Sequence, residues 1–370
     1  MKASLPSRSI VRLSDLAVAR EGLCRIDYGL SNRQYRFCQR HKQLMPIIRL
    51  GVKLALDECQ IQFQHRHWNC SLFDERDSFG NVLDLGLHTR VLLSPRINRT
   101  HSSGTRESAY IHALTSAGVA YAMTKACSTG RLESCGCDMS IGNVATNRSI
   151  RWTGCSDNVL FGAETARRFV NLREPRTNLL NLHNNRVGIQ VALNGSRGHA
   201  LAAPLHFQAI LSSVGQQCKC HGTSGSCELR TCWRSMGSFA GIGEKLKELY
   251  DDAIEVRSMP TGSINNGLRF QPRNARERES MAATYRSNLI FATSSPNYCE
   301  ANVPLGSWGT RGRICNRYSR AIDGCDSLCC HRGYRSDNVT VENPCNCQFQ
   351  WCCQVQCQKC ISTREISRCL

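Results

Sequence analysis

The sequence predicts an α plus disulfide-rich β protein in two domains. A helical N-terminal domain ends in a stapled hairpin, and a small, cysteine-knot-like C-terminal domain is built around a long β-hairpin. Three observations carry this reading. The 24 cysteines of the 370-residue chain fall into two sets of twelve, Cys24 to Cys232 and Cys299 to Cys369, with none between Arg257 and Pro296. Helical periodicity is confined to the part before that gap. Polar and apolar residues alternate within 345–360 of the part after it. Since single cores stop growing at about 250–300 residues, the length also suits two domains. The expected division is an N-terminal segment 1–23, a helical domain 24–257, a basic linker 258–296 and a cysteine-rich domain 297–370.

In the first domain, Pro46 to Phe63 places Ile47, Ile48, Val52, Leu54, Ala55 and Ile61 near helical spacing. Arg106 to Cys127 repeats the pattern with Tyr110, Leu114, Ala117, Val119 and Tyr121. Val159 to Leu172 and Asn178 to Leu193 are further helices. From Ser238, which suits an N-cap, to Val256, one face carries Ile242, Leu246, Leu249, Ala253 and Ile254. Glu244, Lys245, Lys247 and Glu248 fall on the exposed side. In the second domain cysteines recur every few residues from Cys315 to Cys369 with no helical period. Such a segment cannot build its own apolar core, so disulfides must hold its strands and loops.

So much cysteine means disulfides in a secreted chain or metal sites in a reducing compartment. Zinc knuckles need paired Cys-x2-Cys units. Cys357 and Cys360 supply one and no second follows, so the even count favours disulfides and no metal is expected. Asn69, Asn98, Asn147, Asn194 and Asn338 each open a glycosylation triplet, which agrees with secretion. Residues 1–23, however, do not read as a leader, because Arg8, Arg12, Asp15 and Arg20 interrupt every apolar run. The expectation is that the genuine start of the protein is missing or wrongly assigned. No apolar run reaches the ~20 residues a membrane span requires. The net charge of +18 could serve nucleic acid, an acidic glycan or a membrane surface. No nucleic-acid motif accompanies it, and an oxidised chain does not meet DNA. Arg269, Arg273, Arg276 and Arg278 in the linker suit heparan sulfate, diluted by Glu277 and Glu279, about as well as they suit a solvated loop.

Residues 218–232 read CKCHGTSGSCELRTC. Nested pairing of Cys218 with Cys232 and Cys220 with Cys227 closes a two-rung hairpin whose tip is His221 to Ser226. Gly222 and Gly225 flank Ser224 and leave it uncluttered. A hydrolase is the alternative for a serine near a histidine. The nucleophile elbow, however, needs Gly-x-Ser-x-Gly, and Ser226 stands in its last position. His221, three residues away in the same turn, is unlike the distant histidine of a triad. No catalytic residue is assigned. Residues 345–360 read CNCQFQWCCQVQCQKC, where pairs Cys345–Cys360 and Cys347–Cys357 staple a second hairpin. Phe349 and Trp351 share a face by the period of two. Cys352 and Cys353 at the turn, bonded to each other, lock the tip. A domain this short of apolar residues offers those aromatics little core, so they read as an exposed binding tip.

CKCHGTSGSC matches the hallmark Cys-Lys/Arg-Cys-His-Gly-x-Ser-Gly-x-Cys, and the chain is thereby similar to the Wnt family. The likeness extends through Glu58-Cys59, Arg66 to Cys70, Ser103 to Glu107, Cys135 to Cys137, Trp152 to Asn158, Leu182 to Asn185 and Arg230 to Trp233. It continues through Gly309 to Arg313, Asp323 to Cys325, Leu328 to Cys330 and Trp351 to Cys353.

The resemblance implies a secreted developmental ligand whose Ser224 carries a monounsaturated fatty acid, added by a membrane acyltransferase. No other cofactor is implied. Its partners would be the cysteine-rich domain of Frizzled receptors, a low-density-lipoprotein-receptor-related co-receptor and a secretion carrier. The acyl chain would sit in a groove on Frizzled, offering roughly 10 kcal/mol at about 0.8 kcal/mol per methylene before binding costs. Phe349, Trp351, Cys352, Cys353 and Val355 would form a second grip. The family's cysteine order implies Cys59–Cys70, Cys127–Cys135, Cys137–Cys155, Cys299–Cys330, Cys315–Cys325 and Cys329–Cys369. Cys24 and Cys38 are then paired by elimination. Three departures stand out. The run from Cys70 to Ser103 is long, a second long segment separates Asn185 from Cys218, and Asn316-Arg317-Tyr318 replaces a common sequon. The rival to a receptor agonist is a non-signalling secreted matrix or decoy protein on the same scaffold.

Overall fold

The computed structural model describes residues 24, 30–70, 104–140, 150–152, 154–174, 178–194, 215–258, 270–272, 287–302, 307–351 and 354–370. A helical body comes first: α1 (Asn32–Arg40), α2 (Met45–Phe63), α3 (Arg106–Ser128), α4 (Val159–Asn171), α5 (Leu179–Asn194) and α6 (Phe239–Asp251). Helix α3 is central, packed by α2, α4, α5 and α6. Its apolar and small residues run all round, the pattern of a helix buried on every side. Thr105 starts it, its hydroxyl accepting from the Ser108 amide at 3.2 Å. Gly51 of α2 and Gly118 of α3 meet backbone to backbone, and a Cβ on Gly118 would lie 2.2 Å from the Gly51 carbonyl oxygen. Phe63 anchors an aromatic cluster, edge-on to Trp68, Tyr110 and Tyr250 at 4.8, 4.9 and 4.8 Å.

Short strands surround this body. β1 (Ile150–Arg151) runs parallel to β3 (Arg230–Ser235), which pairs antiparallel with β2 (Gly215–Cys220). β4 (Ile254–Ser258) lies between β5 (Phe270–Pro272) and β6 (Ile290–Phe291), whose residues are buried against the helices. Beyond them come β7 (Ala301–Asn302), β8 (Ser307–Trp308), β9 (Ile314–Cys315), the single turn α7 (Cys325–Leu328), and the ribbon of β10 (Tyr334–Gln350) and β11 (Gln354–Cys369). The buried cluster at the base of this region is Cys315, Cys325, Leu328, Cys329 and Cys369, four half-cystines for one leucine.

Several expectations need correction. The helix from Ser238 stops at Asp251 rather than Val256, and Ile254 to Val256 become strand. Paired aspartates at a helix C-terminus oppose the dipole, and β-branched Ile254 and Val256 favour the extended form. Lys247 is not a free surface charge: its ammonium lies 4.9 Å from the Phe63 ring and 2.7 Å from Asp251. Ile61 is exposed. The segment after Asn185 is not wholly an insertion, because α5 continues to Asn194 and buries Val187, Ile189, Val191, Ala192 and Leu193. The long run after Cys70 lies outside the described residues up to Gly104, as does residue stretch 195–214.

Candidate functional site

The hairpin of β2 and β3 is built by its cystines. Cys218 faces Cys232 directly across the ladder and is bonded to it, and Cys220 is bonded to Cys227 beyond the last rung. At the tip, the Gly222 amide donates to the Ser226 carbonyl at 2.7 Å and the Gly225 amide to the Gly222 carbonyl at 3.0 Å. Ser224 stands at the apex with φ 56° and ψ 25°, followed by Gly225 at φ 79°. The left-handed pair turns the chain sharply and leaves His221, Thr223, Ser224, Gly225 and Ser226 exposed. A Cβ on Gly222 would lie 1.8 Å from Ser226 Oγ and 2.5 Å from its carbonyl oxygen, so only glycine fits there.

The base of this hairpin is fixed by residues outside the expected site. Buried Asp157 accepts from the Met236 amide at 2.7 Å, from Lys125 Nζ at 2.6 Å and from Ser235 Oγ at 3.3 Å. Ser156 Oγ accepts from the Arg234 amide at 3.1 Å. Helix α3 thus holds the hairpin through a charge-assisted node. Asp157 belongs to the Trp152–Asn158 stretch, but nothing local announces its partners.

The second hairpin projects differently. β10 and β11 pair from Tyr334↔Cys369 to Gln350↔Gln354, with a bulge between Cys345 and Gln348 and Asn346 at φ 48°. Cys345–Cys360 and Cys347–Cys357 cross-link it. Phe349 faces Val355, and Phe349, Trp351 and Val355 are 69%, 95% and 64% exposed. Such a rigid apolar tip in water is unusual unless something covers it. Cys352 and Cys353 lie outside the described residues.

The structure also brings together Cys24 with Cys38, Cys59 with Cys70, Cys127 with Cys135 and Cys137 with Cys155. In the C-terminal region it joins Cys299 with Cys330, Cys315 with Cys325 and Cys329 with Cys369. The sulfurs that cluster near His67 and around Cys315 are therefore disulfide sulfurs, with no thiolate to offer a metal. Of the sequon residues, Asn338 is exposed on β10, Asn69 is half-buried and Asn194 ends α5. Asn98, Asn147 and the linker arginines 269, 273, 276 and 278 lie outside the described residues.

A second polar node joins the regions. Glu107, at the start of α3, accepts from Tyr250 Oη at 2.8 Å and Ser295 Oγ at 2.8 Å. Burial, with Glu107 beside it, pushes the Tyr250 phenol well above its ordinary pKa. Among the described residues, no helix is long and apolar enough to cross a membrane.

Comparison with known proteins agrees with this architecture. A profile described as the wnt family matches residues 27–370. Protein Wnt-2b-A of Xenopus laevis is 38% identical over 347 residues, which cover 92% of this chain and 86% of that protein. A chain in the solved structure of human WLS in complex with WNT8A is similar with a TM-score of 0.57 and 31% identity, over 88% of this chain and 94% of that one. Both hairpin tips and the cystine-rich base fall within the matched span. The chain belongs to the Wnt family, whose members are secreted signalling ligands and not enzymes.

Proposed function

We propose that this Wnt signalling ligand is acylated on Ser224 and grips the Frizzled cysteine-rich domain at two points. The first is the fatty acyl chain on the β2–β3 hairpin. The second is the tip formed by Phe349, Trp351 and Val355, with Cys352 and Cys353 at its turn. The observation that carries the reading is the placement of Ser224: an exposed apex in the left-handed region, between glycines, on a hairpin stapled twice. A membrane acyltransferase needs such access, and a rigid mount spares the acyl chain part of the ordering cost of binding. Two grips on one body then act with an effective concentration that neither has alone.

The same reading assigns a secretion carrier of the WLS type, a low-density-lipoprotein-receptor-related co-receptor and heparan sulfate as partners, with no metal and no catalytic residue. It divides the chain into a helical domain 24–257, a linker 258–296 and a C-terminal domain 297–370, with glycans on the sequons. The matrix or decoy alternative is not favoured, since the family match runs through both tips.

The test is expression behind a working signal peptide together with the acyltransferase, followed by the mass of the peptide spanning Ser224. A fatty-acyl increment on Ser224, with Frizzled-domain binding lost in S224A, supports the proposal. An unmodified serine on well-secreted protein overturns it.

A further inference from the structure

The Gly309–Arg313 stretch has no part in either tip, yet it places one side chain across the boundary between the helical body and the C-terminal region. Arg313 Nη1 donates to the His67 carbonyl at 2.8 Å and Nη2 to the Gln64 carbonyl at 3.0 Å. These carbonyls belong to the turn that follows α2, where helical carbonyls lose their partners and the dipole is negative. A two-pronged guanidinium suits both needs, and burial lowers its pKa to about 10, which leaves it charged at neutral pH. One contact runs beside it: the His67 Nε2–H donates to the Ser327 carbonyl at 2.9 Å.

Each side of this junction is stiff. On the helical side, residues 64–70 are closed by Cys59–Cys70, and Trp68 is buried edge-on to Phe63 at 4.8 Å. On the other side, the Arg313 carbonyl accepts from the Cys369 amide at 3.0 Å, and the Gly312 amide donates to the Cys369 carbonyl at 2.9 Å. Cys369 is bonded to Cys329 and ends β11, one strand of the ribbon that bears the aromatic tip. A rotation at Arg313 is therefore carried along the rigid ribbon to Trp351.

We propose that Arg313 is a positioning residue for receptor binding: by clamping the end of α2 to the base of the ribbon, it sets the span between Ser224 and Trp351. The proposal rests on the two-grip reading above. Linked grips gain about 100-fold to 10,000-fold when their spacing matches the target, and lose the gain when it does not.

The experiment uses the full chain with R313A, and with R313K as a variant that keeps the charge but not the fork. Solution scattering on S224A protein reports the shape without receptor. R313A is expected to enlarge and broaden the particle, with R313K between; unchanged scattering overturns the clamp. Affinity for the Frizzled domain is then measured in three backgrounds: acylated with both grips, S224A and W351A. R313A is expected to weaken the two-grip protein by about tenfold or more and each single-grip protein by less than about twofold. An equal loss in all three backgrounds marks local damage, and no loss in the two-grip protein marks an idle contact; either overturns the proposal. If the unsubstituted two-grip protein binds no tighter than its single-grip variants, the receptor reading fails instead, and scattering alone decides whether the clamp exists.

Discussion

Replacing Gly222 by alanine separates the geometry of the Ser224 tip from its stability. Gly222 sits at φ −94° and ψ 172°, a conformation that alanine adopts freely, so backbone strain plays no part. The obstacle is contact: the new Cβ would meet Ser226 Oγ at 1.8 Å, the Ser226 carbonyl oxygen at 2.5 Å and its carbon at 2.9 Å. A hydroxyl can rotate away, but the carbonyl cannot move without opening the hydrogen bond from the Gly222 amide at 2.7 Å. That bond is worth about 1 kcal/mol net, and the two cystines below it remain. The variant is therefore expected to fold and to be secreted with a rearranged tip. Gly225 supplies the contrast. It has φ 79° but nothing within 4 Å of a Cβ, so G225A costs about 1–2 kcal/mol of strain without any clash. Stability costs are similar, and the tip moves in one variant only. The assay is the ratio of acylated to unmodified Ser224 peptide in purified protein expressed with the acyltransferase. G222A is expected to lower the ratio by about tenfold, equivalent to 1.4 kcal/mol at the acyltransferase, and G225A by less than about twofold. Full acylation of G222A, or an equal loss in both variants, would refute the reasoning that a fixed apex is what the enzyme recognises.

Four further outcomes are expected. W351A should leave the unfolding midpoint within about 0.5 kcal/mol of the parent, since the ring is exposed, while weakening Frizzled-domain binding about tenfold or more; a large loss of stability would place the ring in a core after all. D157N should cost about 2–4 kcal/mol in denaturant unfolding with disulfides intact, because Lys125 loses its charged partner; an unchanged midpoint would mean that the node does not anchor the hairpin. His183, which donates to the Asn288 carbonyl at 3.0 Å, has its pKa lowered from 6.5 to about 4, chiefly by burial and in part by Arg186. The unfolded ring then binds its proton first, so its stabilisation is complete above pH 6.5 and is lost as pH falls towards 4, by up to about 3 kcal/mol. Buried His112 shifts in the same direction, so the check is the slope of stability against pH in H183Q relative to the parent. Graded reduction, followed by hydrogen exchange, should release residues 307–370 before the helical body; simultaneous loss would contradict the contrast in apolar burial between them.

The longer helices are legible from their apolar spacing whether they are apolar on one face or all round: Pro46 to Phe63 forms α2 and Arg106 to Cys127 forms α3. Ser238 does accept from the Gly241 amide at 3.2 Å. Helix α1 is hard to read although Ser31 and Gln34 form a reciprocal capping box, because it is only nine residues long and strongly polar, with Gln34 and Cys38 as its buried residues. Strand β4 reads in the sequence as a continuation of α6, since Ala253 and Ile254 prolong the apolar face by chance. The two tips were legible because cysteine spacing and glycine placement are local. The nodes that hold them were not. Asp157 finds Lys125 at a separation of 32 residues, Lys125 finds Ser235 at 110, and Glu107 finds Tyr250 at 143. No window of sequence contains both members of such a pair, and buried polar groups carry no periodic signal.

The contrast in packing has a functional consequence. In the helical body, residues as far apart as Ile48, Tyr110, Leu193 and Leu246 are fully buried in one cluster, so most substitutions there are felt as lost stability. At the two tips, Ser224, Phe349, Trp351 and Val355 contribute almost nothing to any core, and the folding of each hairpin depends on its cystines and its anchors. Side chains proposed to meet a receptor are thereby separated from side chains that hold the fold, and the tips can vary in chemistry at little cost in stability. Their mounting is more constrained: Gly222 has no room for a Cβ beneath one tip, Asn346 bulges at φ 48° beneath the other, Asp157 holds three partners at one base, and Arg313 is the proposed clamp at the other. Altered receptor choice is therefore expected to arise from exposed tip residues, whereas reduced acylation or reduced two-grip affinity with the tip side chains intact is expected to arise from Gly222 and Arg313.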